Sequence, residues 1–137
     1  MVWFKMWHDF EEYILLQCDK NPTRIVEVAV GRFKKVYDFL NSQDNVEIIK
    51  TDIIPSDDDV VRDDVTNPNL EIYENTDIIY SVRPPGELQP HIYNLAKKVN
   101  ATLIIKPLSN EEFNIKAKDV KLKNYRKASF YICDKNG

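Results

Sequence analysis

The chain is poor in glycine: three in 137 residues, one of them the terminal Gly137. A loop that cradles the phosphates of a dinucleotide or a nucleoside triphosphate needs several glycines close together, because its backbone must approach the ligand with no Cβ in the way. There is no Walker loop and no Gly-x-Ser-x-Gly elbow, so NTPase and serine-hydrolase mechanisms have no support. Cysteine is scarce too. Cys18 and Cys133 lie at opposite ends of the chain and form neither a Cys-x-x-Cys redox pair nor a disulfide framework. The histidines, His8 and His91, are far apart and lack a second ligand at metal spacing. The acidic run Asp57–Asp59 has no glycine at the sixth position of a calcium loop, and Pro68 stands at the twelfth. No metal is expected. No apolar run approaches the ~20 residues that span a bilayer, so no membrane partner is expected either. The first residues carry Asp9, Glu11 and Glu12 and read as a helix rather than a leader. A cytoplasmic protein is the expectation.

What the chain does have is a core. Two Trp, seven Tyr and six Phe within a 43% apolar composition suit one folded domain of this length. The net charge of -3 conceals an uneven spread. Residues 44–77 hold eleven acids against Lys50 and Arg62, whereas residues 78–137 are net basic. The acidic middle repels polyanions, and the basic end leaves nucleic acid open as a partner.

Periodicity supplies the elements. Trp3, Trp7, Phe10, Ile14 and Cys18 recur at helical spacing, and Asn21-Pro22 closes that helix. Residues 24–30 (RIVEVAV) and 46–54 (VEIIKTDII) read as buried strands, with a helix on Phe33, Val36, Tyr37 and Leu40 between them. Val60 and Val61 suggest a short strand, and residues 76–82 (TDIIYSV) a longer one. Leu88, Ile92, Leu95, Ala96 and Val99 mark the next helix, with Pro90 tolerated in its first turn. Thr102–Ile105 makes another strand, and Ser109 with Glu112 has the form of a capping box. Val120–Tyr125 and Lys127–Cys133 read as a strand pair with a tight connection. Strands alternating with helices predict a three-layer α/β domain: a mainly parallel sheet with antiparallel C-terminal strands. One domain over residues 1–137 is expected, made of an N-terminal helix (1–20), a core (24–108) and a C-terminal strand pair (109–137).

In such a sheet, ligands bind beyond the carboxyl ends of the strands, where strand order reverses. The turn after the first strand contains Gly31, and Asp52 follows near the end of the second. Their separation is close to the ~20 residues between a nucleotide-binding turn and the acid that takes ribose hydroxyls. A dinucleotide fingerprint needs glycines at positions 29, 31 and 34, and Ala29 and Lys34 occupy two of these. Glu27, Asp52, Asp63 and Asp64 would repel a pyrophosphate. S-adenosylmethionine carries no phosphate and bears a sulfonium and an ammonium, so it tolerates an acidic crevice.

The ordered set Glu27-x-Ala29-x-Gly31, Asp52, Asp63-Asp64 and Asp77-Ile-Ile-Tyr80-Ser81 resembles class I S-adenosylmethionine-dependent methyltransferases over residues 24 to about 108. The strings TRIVEVAVGRF, TDIIPS, VRDDVTNP, EIYENTDIIYSVRPPGEL and LIIKPL are similar to an uncharacterised archaeal family of small Rossmann-like proteins, UPF family 146, over nearly the whole chain. The resemblance implies that Glu27 orients the methionine end of the cofactor and Gly31 gives the backbone approach. Asp52 would take the ribose, and Asp63 or Asp64 would face the adenine edge. It also marks departures. Ala29 stands where a glycine is usual, which costs on the order of 1 kcal/mol if φ is positive there. Arg83-Pro84-Pro85-Gly86 replaces the Asn/Asp-Pro-Pro-aromatic loop of amino-directed enzymes, and arginine has no acceptor for a proton. Ser81 and Arg83 are the candidate catalytic residues, with Arg83 suited to a carboxylate or phosphate on a substrate.

The expected function is S-adenosylmethionine binding with methyl transfer to an unspecified acceptor. Its alternative is a catalytically silent binding or interaction module. In that structural reading Glu27 is a buried acid paired with Arg24 or Arg32. Lys121, Lys123, Arg126 and Lys127 with Tyr125, Phe130 and Tyr131 mix cations and aromatics as RNA-binding strands do, although edge protection explains the lysines equally well. Trp3, Trp7, Phe10 and Tyr13 either cover the sheet or build a dimer interface, so monomer and homodimer both stay open.

Overall fold

The computed structural model describes residues 2–107, 109 and 112–135. Its elements are α1 (Val2–Leu16), β1 (Thr23–Val28), α2 (Lys35–Asn41), β2 (Val46–Asp52), β3 (Val60–Arg62), β4 (Ile78–Val82), α3 (Gln89–Val99), β5 (Thr102–Lys106), β6 (Lys121–Tyr125) and β7 (Ala128–Cys133). One seven-stranded sheet has the order β3-β2-β1-β4-β5-β7-β6. Strands β1 to β5 pair in parallel, and β7 runs antiparallel to β5 and to β6. This is a Rossmann-like, methyltransferase-type architecture, with the strand order reversing between β1 and β4.

Two apolar layers hold the helices to the sheet. On one face Trp7, Phe10 and Ile14 of α1 and Val36 and Leu40 of α2 cover Ile25, Ile48, Ile78 and Phe130. On the other, Ile92, Leu95 and Ala96 of α3 cover Val26, Ile79, Leu103 and Ile105. Odd positions of β1 face α1 and even ones α3, as the pleat requires. Each large side chain fully buried in this way contributes about 2 kcal/mol. Helix α3 ends on Asn100, whose N–H reaches the carbonyls of Ala96 and Lys97 and whose φ of 56° turns the chain so that the Ala101 N–H bonds the Ala96 carbonyl at 2.9 Å.

Several boundaries differ from expectation for local reasons. Helix α1 stops at Leu16, ahead of the cis Asn21–Pro22 peptide, and Cys18 lies beyond it. Strand β1 ends at Val28 because Ala29, whose N–H still bonds the Thr51 carbonyl, turns to φ 56° and takes the chain out of the sheet. Ile53 and Ile54 project past the tip of β2 and are exposed. Phe33 precedes α2 and packs on Trp7, with ring centroids 4.6 Å apart. The short helix expected from Ser109 and Glu112 involves positions 110 and 111, which lie outside the described residues, as does Leu108 of the LIIKPL string.

Candidate functional site

The carboxyl ends of β1, β2 and β4 open on a crevice. Its larger part, about 540 Å³, runs from Ala29, Gly31 and Phe33 past Asp52 to Val82 and Arg83. A smaller notch of about 60 Å³ lies beside it, between Thr51, Asp52, Asp63, Asp64 and Val65. Ala29, Asp52, Ile53 and Leu88 belong to both, so the two form one continuous hollow.

Asp52 organises the crevice. Its Oδ2 accepts the Gly31 N–H at 3.1 Å, its Oδ1 accepts the Ile54 N–H at 3.0 Å, and its carbonyl accepts the Asp63 N–H at 3.1 Å. One half-buried carboxylate therefore ties the β1 loop to the β2 tip, and the same residue's backbone holds the start of the loop after β3. Each oxygen keeps a further lone pair, and the residue lines the hollow, so its acceptor capacity is enough for two vicinal hydroxyls. Gly31 takes φ 60° there, and nothing stands within 4 Å of where its Cβ would be. Ala29 also sits in the left-handed region, at φ 56°.

Asp63 and Asp64 reach the notch already engaged. Asp63 accepts the Tyr73 hydroxyl at 2.6 Å on Oδ2 and the Asn69 N–H on Oδ1. The buried Tyr73 oxygen also lies 3.1 Å from the Thr51 hydroxyl. Burial first, and the Asp63 carboxylate next, push the Tyr73 hydroxyl pKa upward. Asp64 Oδ1 accepts both the hydroxyl and the N–H of Thr66, which lower its pKa. Both of these hydrogen bonds fall on Oδ1, and the residue lines the notch.

Two candidates fall outside the crevice. Glu27 is 1% exposed and points beneath the loop, where its Oε1 accepts the Tyr80 hydroxyl at 2.7 Å. It does not line the hollow. Nor does it pair with Arg24 or Arg32, since Arg24 binds Glu47 and the Ile72 carbonyl. Burial raises its pKa to about 8 against the smaller pull of Tyr80 and Lys50. Ser81 is fully buried, and its hydroxyl donates to the Val28 carbonyl at 2.6 Å, fastening β4 to β1 rather than facing a substrate. Both placements have one cause: strand alternation aims these side chains into the two helix-covered layers.

Arg83 does reach the crevice. Its φ is 52°, its N–H donates to the Lys106 carbonyl at 2.7 Å, and Pro84-Pro85 follow. The guanidinium stands over the Trp7 and Phe33 rings at 5.3 and 5.4 Å. Ile53 and Leu88, the apolar walls on either side of the notch, were not singled out from the sequence. The signal for Ile53 was its place directly after the strand-tip acid.

The aromatic residues of the basic hairpin are engaged within the fold. Phe130 is fully buried against Phe10 and Tyr13. Tyr131 stacks on Phe113, with centroids 3.6 Å apart, and the Tyr125 hydroxyl donates to Glu12. Arg126 pairs with Glu12. These rings are engaged within the fold, leaving Lys121 and Lys123 exposed on the edge strand. On α1, Trp7, Phe10 and Tyr13 cover the sheet, while Trp3 is 54% exposed. Among the described residues no helix is long and apolar enough to cross a membrane.

Crevice and strand order together define a Rossmann-like domain of the methyltransferase type. Solved structures share this fold at low identity. A SAM dependent methyltransferase from Aquifex aeolicus superposes with a TM-score of 0.59 at 14% identity, covering 93% of this chain and 90% of that one. MtNAS in complex with MTA and tNA gives 0.61 at 12% identity, and MycE methyltransferase in complex with Mg and SAH gives 0.55 at 12%. This chain is covered to 96% and 95%, respectively, but spans only 61% of MtNAS and 47% of MycE.

The chain belongs to the uncharacterised protein family UPF0146, whose model matches residues 7–135. A UPF0146 protein of Methanothermobacter thermautotrophicus is 43% identical, covering 92% of this chain and 93% of the relative. One from Methanocaldococcus jannaschii is 40% identical, over 85% and 88%.

Proposed function

We propose that the protein binds S-adenosylmethionine through its adenosyl half and transfers the methyl group to an acceptor that is already nucleophilic at neutral pH. The observation that carries this reading is Asp52, a carboxylate with spare acceptor capacity on the wall of a crevice at the point of strand reversal. Asp52 would hold the ribose hydroxyls, Ile53 and Leu88 would flank the adenine, and Asp64 would accept from its amino edge. The acid-rich, phosphate-repelling wall favours this guest over a dinucleotide. Bound S-adenosylmethionine supplies an electrophilic methyl on a sulfonium. The protein's contribution is then alignment and exclusion of water, since Ser81 is committed to Val28 and Arg83 has no acceptor atom.

Calorimetric titration of the full chain with S-adenosylmethionine and S-adenosylhomocysteine tests the reading. Micromolar binding that Asp52→Asn weakens at least tenfold is expected; no heat from either ligand at millimolar concentration defeats it. The burial of Glu27 and Ser81 supports a second reading, a module that binds the nucleoside without turnover. It predicts the same binding heat with no methyl transfer to any thiol, amine or carboxylate acceptor.

A further inference from the structure

We infer that the β4 end of the crevice is an anion subsite built on Arg83 with Lys106 beside it, and that it takes the α-carboxylate of the ligand's amino-acid tail. The inference rests on the adenosyl reading above and adds which part of the ligand is recognised by charge.

Arg83 stands in a conformation that a non-glycine residue adopts at a cost, and such strain is informative where it aims a side chain into a site. Its main chain is held from both sides, by the hydrogen bond to the Lys106 carbonyl and by the two prolines that follow. Its guanidinium stands over Trp7 and Phe33. A guanidinium held over aromatic faces keeps its N–H edge free for a bidentate partner. Among the described residues no carboxylate pairs with it. Three lysines near the sheet's carboxyl end are matched, Lys34 with Asp57, Lys35 with Glu11 and Lys50 with Asp59, whereas Arg32 lines the β1-loop side of the crevice without an ion pair among the described residues.

Lys106 reinforces the point. It lies opposite Val82 in the β4–β5 ladder, is half-buried, and likewise has no carboxylate partner among the described residues. Burial, and after it the Arg83 charge, lower its pKa. Two neighbouring like charges are a cost that a bound anion relieves. The crevice is thus bipolar, with Asp52, Asp63 and Asp64 on one side and Arg83 on the other, Lys106 standing next to Arg83 outside the lining. An adenosyl amino acid has the matching polarity, hydroxyls and an amino edge at one end and a carboxylate at the other. Glu27 bonds Tyr80 and does not line the crevice, so the carboxylate is the charged group for which the β4 side offers an unpaired partner.

The test compares S-adenosylhomocysteine with methylthioadenosine, which shares the nucleoside but lacks the carboxylate, on the wild-type chain and on Arg83→Met. The expected result is wild-type binding of S-adenosylhomocysteine at least about tenfold tighter, the worth of one charge-assisted contact. Arg83→Met should abolish that advantage and leave methylthioadenosine affinity unchanged, which also reports an intact fold. Equal wild-type affinities, or an advantage that survives in Arg83→Met, overturn the subsite while the adenosyl reading stands. Loss of both ligands in the variant assigns Arg83 a structural role and overturns it as well. If neither ligand binds the wild-type chain, both readings fall.

Discussion

At Ala29 an ordinary side chain occupies the left-handed region, at φ 56°, on the wall shared by both parts of the crevice. An alanine there costs on the order of 1 kcal/mol, and a β-branched residue more. Ala29→Val should therefore destabilise the protein by about 2 kcal/mol, whereas Ala29→Gly should stay within about 1 kcal/mol of wild type, strain relief offsetting the entropy of a freer unfolded chain. Urea denaturation of the three proteins decides it, and equal midpoints for valine and alanine would contradict the assigned backbone. The position was readable as a turn from its place after RIVEV, and the cost of alanine there was conditional on φ. Asp52 was readable too, because its value lies in spacing from Gly31, a quantity the chain records directly. Glu27 and Ser81 were not, since the aim of a side chain at a strand end depends on where the pleat meets the turn. Glu27 ends up under the loop and Ser81 against β1, each bound to a residue 53 positions away.

Helices and strands followed the apolar rhythm closely, with boundaries moved only where a single residue left the regular geometry. The C-terminal hairpin shows what rhythm leaves out. Its lysines and aromatics mix in sequence as on nucleic-acid-binding strands, yet Phe130 packs under α1 and Tyr131 on Phe113. What remains exposed is an edge: β6 has no neighbour on its outer side and carries Lys121, Leu122 and Lys123 in the open. Charged lysines on an edge strand discourage pairing with another sheet. Replacing Lys121 and Lys123 together with threonine should change monomer stability by less than about 1 kcal/mol, the usual range at exposed positions. It should also produce concentration-dependent association beyond the wild-type state. Light scattering over a concentration series measures this; unchanged particle mass would show that the lysines do not guard the edge.

Taken whole, the molecule carries a buried acid whose titration reaches the stability of the entire chain. Glu27 holds its proton up to about pH 8 when folded, because burial outweighs the help of Tyr80 and Lys50, and releases it near 4.5 when unfolded. The folded state therefore binds the extra proton between those values. The stabilisation is complete at low pH and is lost as pH rises through about 8. Glu27→Gln keeps an acceptor for Tyr80 and removes the titration, so its stability should be flatter with pH and should exceed wild type at pH 9 by a few kcal/mol. Chemical denaturation at pH 6, 7.5 and 9 checks this, and parallel pH profiles for the two proteins would refute it.

The amino-acid order alone was enough for the class of fold, the succession of elements, the reversal point and the acid at the second strand tip. All of these rest on local periodicity or on spacing along the chain. The three-dimensional packing added which acids line the hollow, which aromatics are spent in the core, and that Arg83 lines the far side with Lys106 next to it. Those facts come from contacts between residues far apart in sequence, and no local pattern records them.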